Sequence, residues 1–214
     1  MGWEARVFYR PAAAAEAALV HESLKGPAED RTDVYQSHSA SVGLKLRGGG
    51  GLELKVREGV DGPFEKLAKH RFGSQKEASA MVRSLEEAGK APVPPAAHAA
   101  APNVVVQKQR RQSYVGEALV EQTELVISAK DSAASTEVWR TVAVEGKRKL
   151  ALPVFQQLLA AAVAQAEGSS VLTFGYAGFV AERTAAWSAG NTSTAPPLDT
   201  TEREEQGPAA CSAS

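Results

Sequence analysis

The chain has 214 residues, 43% hydrophobic but only 6% aromatic, which allows one sizeable domain with a modest, alanine-rich core. Its net charge of −1 divides into −3 over residues 188–214, where Asp199, Glu202, Glu204 and Glu205 outnumber Arg203, and +2 elsewhere, too little to argue nucleic-acid binding from bulk charge. The single cysteine, Cys211, excludes an intrachain disulfide. The N-terminus has no apolar secretory core and the longest apolar run, 158–164, is too short to span a bilayer, so a soluble, intracellular, cytoplasmic protein is expected.

Taken in chain order, residues 3–9 (WEARVFY) alternate Glu4, Arg6 and Phe8 against Trp3, Ala5, Val7 and Tyr9 and predict a strand that Pro11 stops. Residues 12–24 suit a short helix, and 32–36 suit a strand carrying Asp33 and Tyr35. In 42–47 (VGLKLR) and 52–58 (LELKVRE) apolar and charged residues alternate on either side of four glycines, which predicts a hairpin. A four-residue loop would set Arg47 opposite Leu52. An odd loop avoids this: three residues pair Lys45 with Glu53, and five pair Arg47 with Glu53. Either register separates a charged face from an apolar one. That charged face is either a solvated outer surface or the lining of a wet barrel.

Residues 64–72 are ambiguous between strand and helix. Ser74 and Glu77 form a capping box for a helix over about 75–88, with Gly89 as its stop. Residues 91–102, rich in proline and alanine, read as a linker within the domain. Three further strands are expected in VVVQKQRRQS, in 117–128 and in 136–145. A second helix is expected over 150–166, and a last strand over 171–174. The domain is expected to span 1–187, with a disordered tail over 188–214. With about seven or eight strands in all, the fold class expected from the pattern is antiparallel α+β.

Several site types are absent from the sequence. No P-loop or Gly-x-Ser-x-Gly elbow occurs, and the four histidines lack zinc-ligand spacing. The run Lys108-Gln109-Arg110-Arg111 is basic, but stacking aromatics do not interleave with its cations, which disfavours RNA. What recurs is charge at strand spacing: Glu4 and Arg6; Lys45 and Arg47; Glu53, Lys55 and Arg57; Arg110 or Arg111; Glu121 or Glu124; Glu137 and Glu145. Turned into a closed barrel, such cations would grip phosphate oxygens, and the carboxylates could hold an oxygen-preferring metal ion.

The order Glu4-x-Arg6, TDVY at 32–35, VGLKLR, LELKVRE, QKQRR, EQTELVIS and TEVWRTVAVEG resembles the CYTH domain, or triphosphate tunnel metalloenzyme, superfamily over residues 3–179. The resemblance implies an α+β fold, an antiparallel, eight-stranded, tunnel-like β-barrel with flanking helices, that binds a triphosphate or another phosphorylated small molecule and hydrolyses it with Mg²⁺ or Mn²⁺. It also implies Arg6, Lys45, Arg47, Lys55, Arg57 and Arg110 as phosphate ligands, and Glu4, Glu53 and Glu145 as metal ligands. In the family's first-strand Glu-x-Glu-x-Lys pattern, Arg6 stands where the second glutamate belongs and Phe8 where the lysine belongs. The alternative is therefore a noncatalytic anion-binding or scaffold domain that has lost metal-dependent hydrolysis.

Overall fold

The computed structural model describes residues 3–12, 19–48, 50–89, 104–129 and 136–190. The linker expected at 91–102 lies outside these residues, as does the expected tail apart from 188–190. The chain forms β1 (Trp3–Pro11), a 3-10 turn (Glu22–Lys25), β2 (Glu29–Ser39), β3 (Val42–Arg47), β4 (Leu52–Asp61), β5 (Phe64–Phe72) and α1 (Gln75–Glu87). Then come β6 (Val104–Val115), β7 (Ala118–Ala129), β8 (Thr136–Gly146), α2 (Arg148–Gln165), β9 (Ala166–Thr173) and α3 (Tyr176–Gly190). The ambiguous stretch 64–72 is a strand. Of the short helix expected over 12–24, residues 13–18 lie outside the described set and only the 3-10 turn is seen.

All pairings are antiparallel. The strands run in the order β5-β4-β3-β2-β6-β7-β8-β1, and β1 returns to β5 through Trp3, Glu4 and Ala5, so eight strands close into a barrel. Past Ala5 that edge of β1 pairs with β9 instead, at Val7, Phe8 and Tyr9. Closure leaves each strand an inner and an outer face, which explains why β1 is buried on both: Ala5, Val7 and Tyr9 pack outward beneath Phe155, Leu158 and Ala162 of α2. A second outer layer sets Val42, Leu44, Leu54 and Val56 against Ala78, Val82 and Leu85 of α1. Ser74 caps that helix by accepting a hydrogen bond from the Glu77 N–H at 3.3 Å.

The hairpin between β3 and β4 takes the three-residue register: Lys45 faces Glu53 and Leu44 faces Leu54. The Gly50 N–H bonds the Arg47 carbonyl at 2.9 Å, and Gly50 has φ +95°, a conformation glycine reaches without Cβ strain. Leu44 and Leu54 are almost fully buried beneath α1, so a one-residue slip would expose them and bury the charges without their partners.

The third helix was not expected. Its sequence, YAGFVAERTAAWSAG, shows little amphipathic contrast because Ala177, Ala181, Ala185 and Ala186 lie outside the buried stripe of Tyr176, Phe179 and Val180 that it turns to one end of the barrel. There Phe179 stacks on Phe8 with ring centroids 4.0 Å apart and meets Trp139 edge-on at 5.2 Å, above a floor of Val104, Val106, Leu125 and Ile127. Gly43 admits the helix, since a Cβ there would come within 3.1 Å of the Ala177 Cβ. Phe179→Ala should destabilise the protein by about 3–5 kcal/mol through lost burial and a residual cavity. Urea unfolding checks this, and a loss no larger than that of an exposed substitution would mean α3 does not belong to the core. No helix among the described residues is long and apolar enough to cross a membrane.

Candidate anion-binding cavity

With α3 filling one end with aromatics, the rest of the barrel interior is charged. A cavity of about 160 Å³ is lined by the cations Arg6, Arg31, Lys45, Arg47, Lys55, Lys69, Arg71, Lys108 and Arg110. Its lining also holds the carboxylates of Glu4, Glu53, Glu121 and Glu145, together with Tyr35, Gln112 and Tyr176. Of the expected phosphate ligands, Arg6, Lys45, Arg47, Lys55 and Arg110 meet here. Arg57 does not: it lies beside the β4 bulge, where it donates to Glu65 at 3.1 Å and Ser41 at 2.8 Å. The expected metal ligands Glu4, Glu53 and Glu145 all line the cavity. The two open choices resolve as Arg110 and Glu121, whereas Glu124 pairs with Arg140 and Glu137 binds Arg10, Trp139 and Trp187.

Period-two alternation explains the lining. Glu4 and Arg6 on β1, Lys45 and Arg47 on β3, Glu53 and Lys55 on β4, and Lys108 and Arg110 on β6 are each two residues apart and share the inner face. The deepest of them are buried: Lys45 is 6% exposed, Glu53 2%, Glu4 5% and Arg6 6%. Isolated charges at such depth would be strongly disfavoured, so each is paired.

Arg6 bridges two strands, with Nε 3.0 Å from Glu4 Oε1 and Nη1 2.8 Å from Glu121 Oε1, and its guanidinium lies over the Tyr176 ring at 4.6 Å. Lys55 completes Glu4 through Oε2 at 3.1 Å. Glu53 receives Lys45 at 2.8 Å on one oxygen and Arg47 at 2.9 Å on the other. Lys69 donates to both oxygens of Glu145, at 2.9 and 3.2 Å. Lys108 is held by Asp33 at 2.9 Å and the Tyr35 hydroxyl at 2.6 Å, with its ammonium 4.0 Å from the Tyr176 ring centroid.

The electrostatic balance favours an incoming anion. Burial pushes the Lys45 ammonium down to about 8, and neighbouring Lys55 adds to the effect against Glu53. Burial likewise pushes Lys108 down to about 7, with Asp33 opposing and Lys45 assisting. The carboxylates go the other way. Burial acts to raise Glu121, but Arg6 outweighs it and draws the group down to about 2; Lys55 and Arg6 together hold Glu4 well below the usual carboxylate range. The acids are thus already neutralised by their partners, while the lysines are short of negative charge. The hydroxyl of Tyr176, a lining residue only 7% exposed, is enclosed and has no hydrogen-bond partner among the described residues.

A resident divalent ion does not suit this donor set. Both oxygens of Glu4, of Glu53 and of Glu145 face nitrogen cations, and among the described residues no three histidine, cysteine, aspartate or glutamate side chains are grouped so that they could hold a metal ion. Sequence reasoning missed Arg31, Lys69, Arg71, Lys108 and Tyr176 as lining residues. The first four carry the strand-spacing signal, since Arg31 is two residues from Asp33, Lys69 and Arg71 are two apart on β5, and Lys108 is two from Arg110. Tyr176 had no such signal because it arrives on α3.

The solved structures include a similar chain, HpAC1 from Hippeastrum, described as a candidate adenylyl cyclase that reveals a dominant triphosphatase activity. The match covers 93% of the present chain and 99% of that one at 12% identity, with a TM-score of 0.40. No family model matches the chain, and no curated protein matches it. At this identity and score the likeness assigns no activity to the barrel.

Proposed function

We propose that the barrel binds a condensed phosphate, either a triphosphate group or another phosphorylated small molecule, in its charged cavity. One observation carries this reading: nine cations and four already paired carboxylates converge on a single cavity inside a closed barrel. Phosphate oxygens accept charge-assisted hydrogen bonds from several ammonium and guanidinium groups at once, and a chain of phosphates presents them at spacings that span the barrel. Arg71, 81% exposed at the side chain, and the half-exposed Lys69 and Arg47 would meet the anion first. Lys45, Lys55 and Arg6 would hold it deeper.

Binding is preferred to turnover because Arg6 occupies Glu4 and Glu121, and because the cavity supplies donors rather than free carboxylates. The test combines two measurements. Tripolyphosphate at a hundred times its Kd should stabilise the protein against unfolding by about 2.7 kcal/mol, whereas sodium chloride at equal ionic strength should not. Phosphate release from tripolyphosphate, ATP and thiamine triphosphate, with Mg²⁺ and then Mn²⁺, is expected to match the no-protein blank. Turnover that disappears in Glu53→Gln would restore metal-dependent hydrolysis as the function. No stabilisation by any of the three compounds would overturn anion binding itself.

A further inference from the structure

We infer that the cavity takes its polyanion as the free anion rather than as a metal complex, with Arg6 serving as the fixed internal cation. This inference rests on the anion-binding reading above and concerns the form of the ligand.

The Arg6 guanidinium lies between the carboxylates of Glu4 and Glu121, at 3.0 and 2.8 Å, and its third contact is the Thr141 hydroxyl at 3.4 Å. It therefore occupies the space between two acids contributed by different strands, β1 and β7, where a bridging ion would otherwise find its oxygens. A divalent ion on Glu4 would have to break the pairs with both Arg6 and Lys55. That would leave Lys55 without its partner and Arg6 with Glu121 alone, both beside a doubly charged ion and largely withdrawn from water, so repulsion would replace part of the attraction in a medium of low dielectric. At the buried Glu53 an ion would likewise displace Lys45 and Arg47, whereas at the more exposed Glu145 it would displace Lys69 alone.

A bare polyphosphate meets the opposite situation. Its oxygens can add to the cations without displacing the carboxylates, because each lysine ammonium has three N–H donors and each guanidinium five. A metal-chelated polyphosphate carries two fewer negative charges, and several of its oxygens are committed to the ion, so it satisfies fewer of the lining groups.

The test is calorimetric titration of the full chain with tripolyphosphate in EDTA, repeated in saturating MgCl₂ with ionic strength matched by NaCl. The affinity in EDTA should be higher by about tenfold or more, a difference of about 1.4 kcal/mol. Equal or tighter binding in magnesium, or binding that requires it, overturns the inference and leaves anion binding standing. No heat in either buffer removes the anion-binding reading and this inference with it. Independently, Mn²⁺ titrated into the ligand-free protein should keep its free-ion electron paramagnetic resonance signal. In Arg6→Gln, where Glu4 and Glu121 lose their shared cation, that signal should fall as Mn²⁺ binds. Stoichiometric loss of the signal with the wild-type protein overturns the inference, and this arm needs no variant to fold.

Discussion

Arg6→Gln is expected to destabilise the protein by about 3–5 kcal/mol in urea unfolding at pH 7, because it leaves buried carboxylates with too little positive charge. Arg6 is 6% exposed and Glu121 9%, so water cannot take over the pairing. Against a typical domain stability of about 5–15 kcal/mol, a loss of this size brings the fold close to its limit.

The pH dependence separates this mechanism from simple loss of packing. In the wild type, burial acts to raise the Glu121 carboxyl, but Arg6 brings it from 4.5 down to about 2. The unfolded chain then binds more protons than the native one between those values. The contribution of Glu121 to stability is accordingly complete above about pH 4.5 and lost as pH falls towards about 2. Without Arg6, burial dominates and the carboxyl titrates higher, so protonation should relieve the variant. Between pH 7 and about 4.5 this contribution should stay constant in the wild type while Arg6→Gln gains stability as its carboxyl protonates; below about 4.5 the wild type should lose stability that the variant does not. Parallel pH profiles would show that the ion-pair network is not the source of the loss.

Lys45→Ala should weaken tripolyphosphate binding by about 10- to 100-fold, the range expected for removing one or two charge-assisted hydrogen bonds from a buried site. Lys45 is the best placed of the cations for this test. It lines the cavity, is 6% exposed, and has its ammonium disfavoured first by burial and then by the charge of neighbouring Lys55. A bound anion would relieve that repulsion, which makes the interaction stronger in the complex than in the free protein. Lys147→Ala is the control: its ammonium is 79% exposed and pairs with Glu117 outside the cavity, so affinity should not change. Equal affinity in both variants would move the anion off the inner face. Retained binding in Lys45→Ala together with a loss in Arg111→Ala would assign it to the outer surface of β6.

Both outcomes depend on features that differ in how far the sequence reveals them. The hairpin could be read closely. Alternation and the glycine run left two registers in which the charges segregate, and the structure adopts one of them, Lys45 opposite Glu53. The shared face of Glu4 with Arg6, and of Glu53 with Lys55, follows from the two-residue period of a strand. The register choice was open because either odd loop keeps the leucines together, and the difference lies in turn geometry.

The helical plug was not readable. In Tyr176 to Gly190 the alanines Ala177, Ala181, Ala185 and Ala186 dilute the stripe of Tyr176, Phe179 and Val180, so its period is weak in the sequence. Arg57 illustrates a related limit: the strand period placed it with Lys55, but the bulge between Arg57 and Gly59 moves it out of line with the cavity.

By itself, then, the sequence determined an antiparallel β-rich domain, the alternation of charge and hydrocarbon on its strands, and the identity of most charges that share a face. The tertiary structure decided that this face points inward, that Arg6 rather than a metal-ready gap stands between Glu4 and Glu121, and that Tyr176 lines the cavity. The reason is physical. Alternation is a local property of a strand, whereas the partner across a barrel is set by closure, here of β1 on β5 and β8, and by a helix from the far end of the described chain.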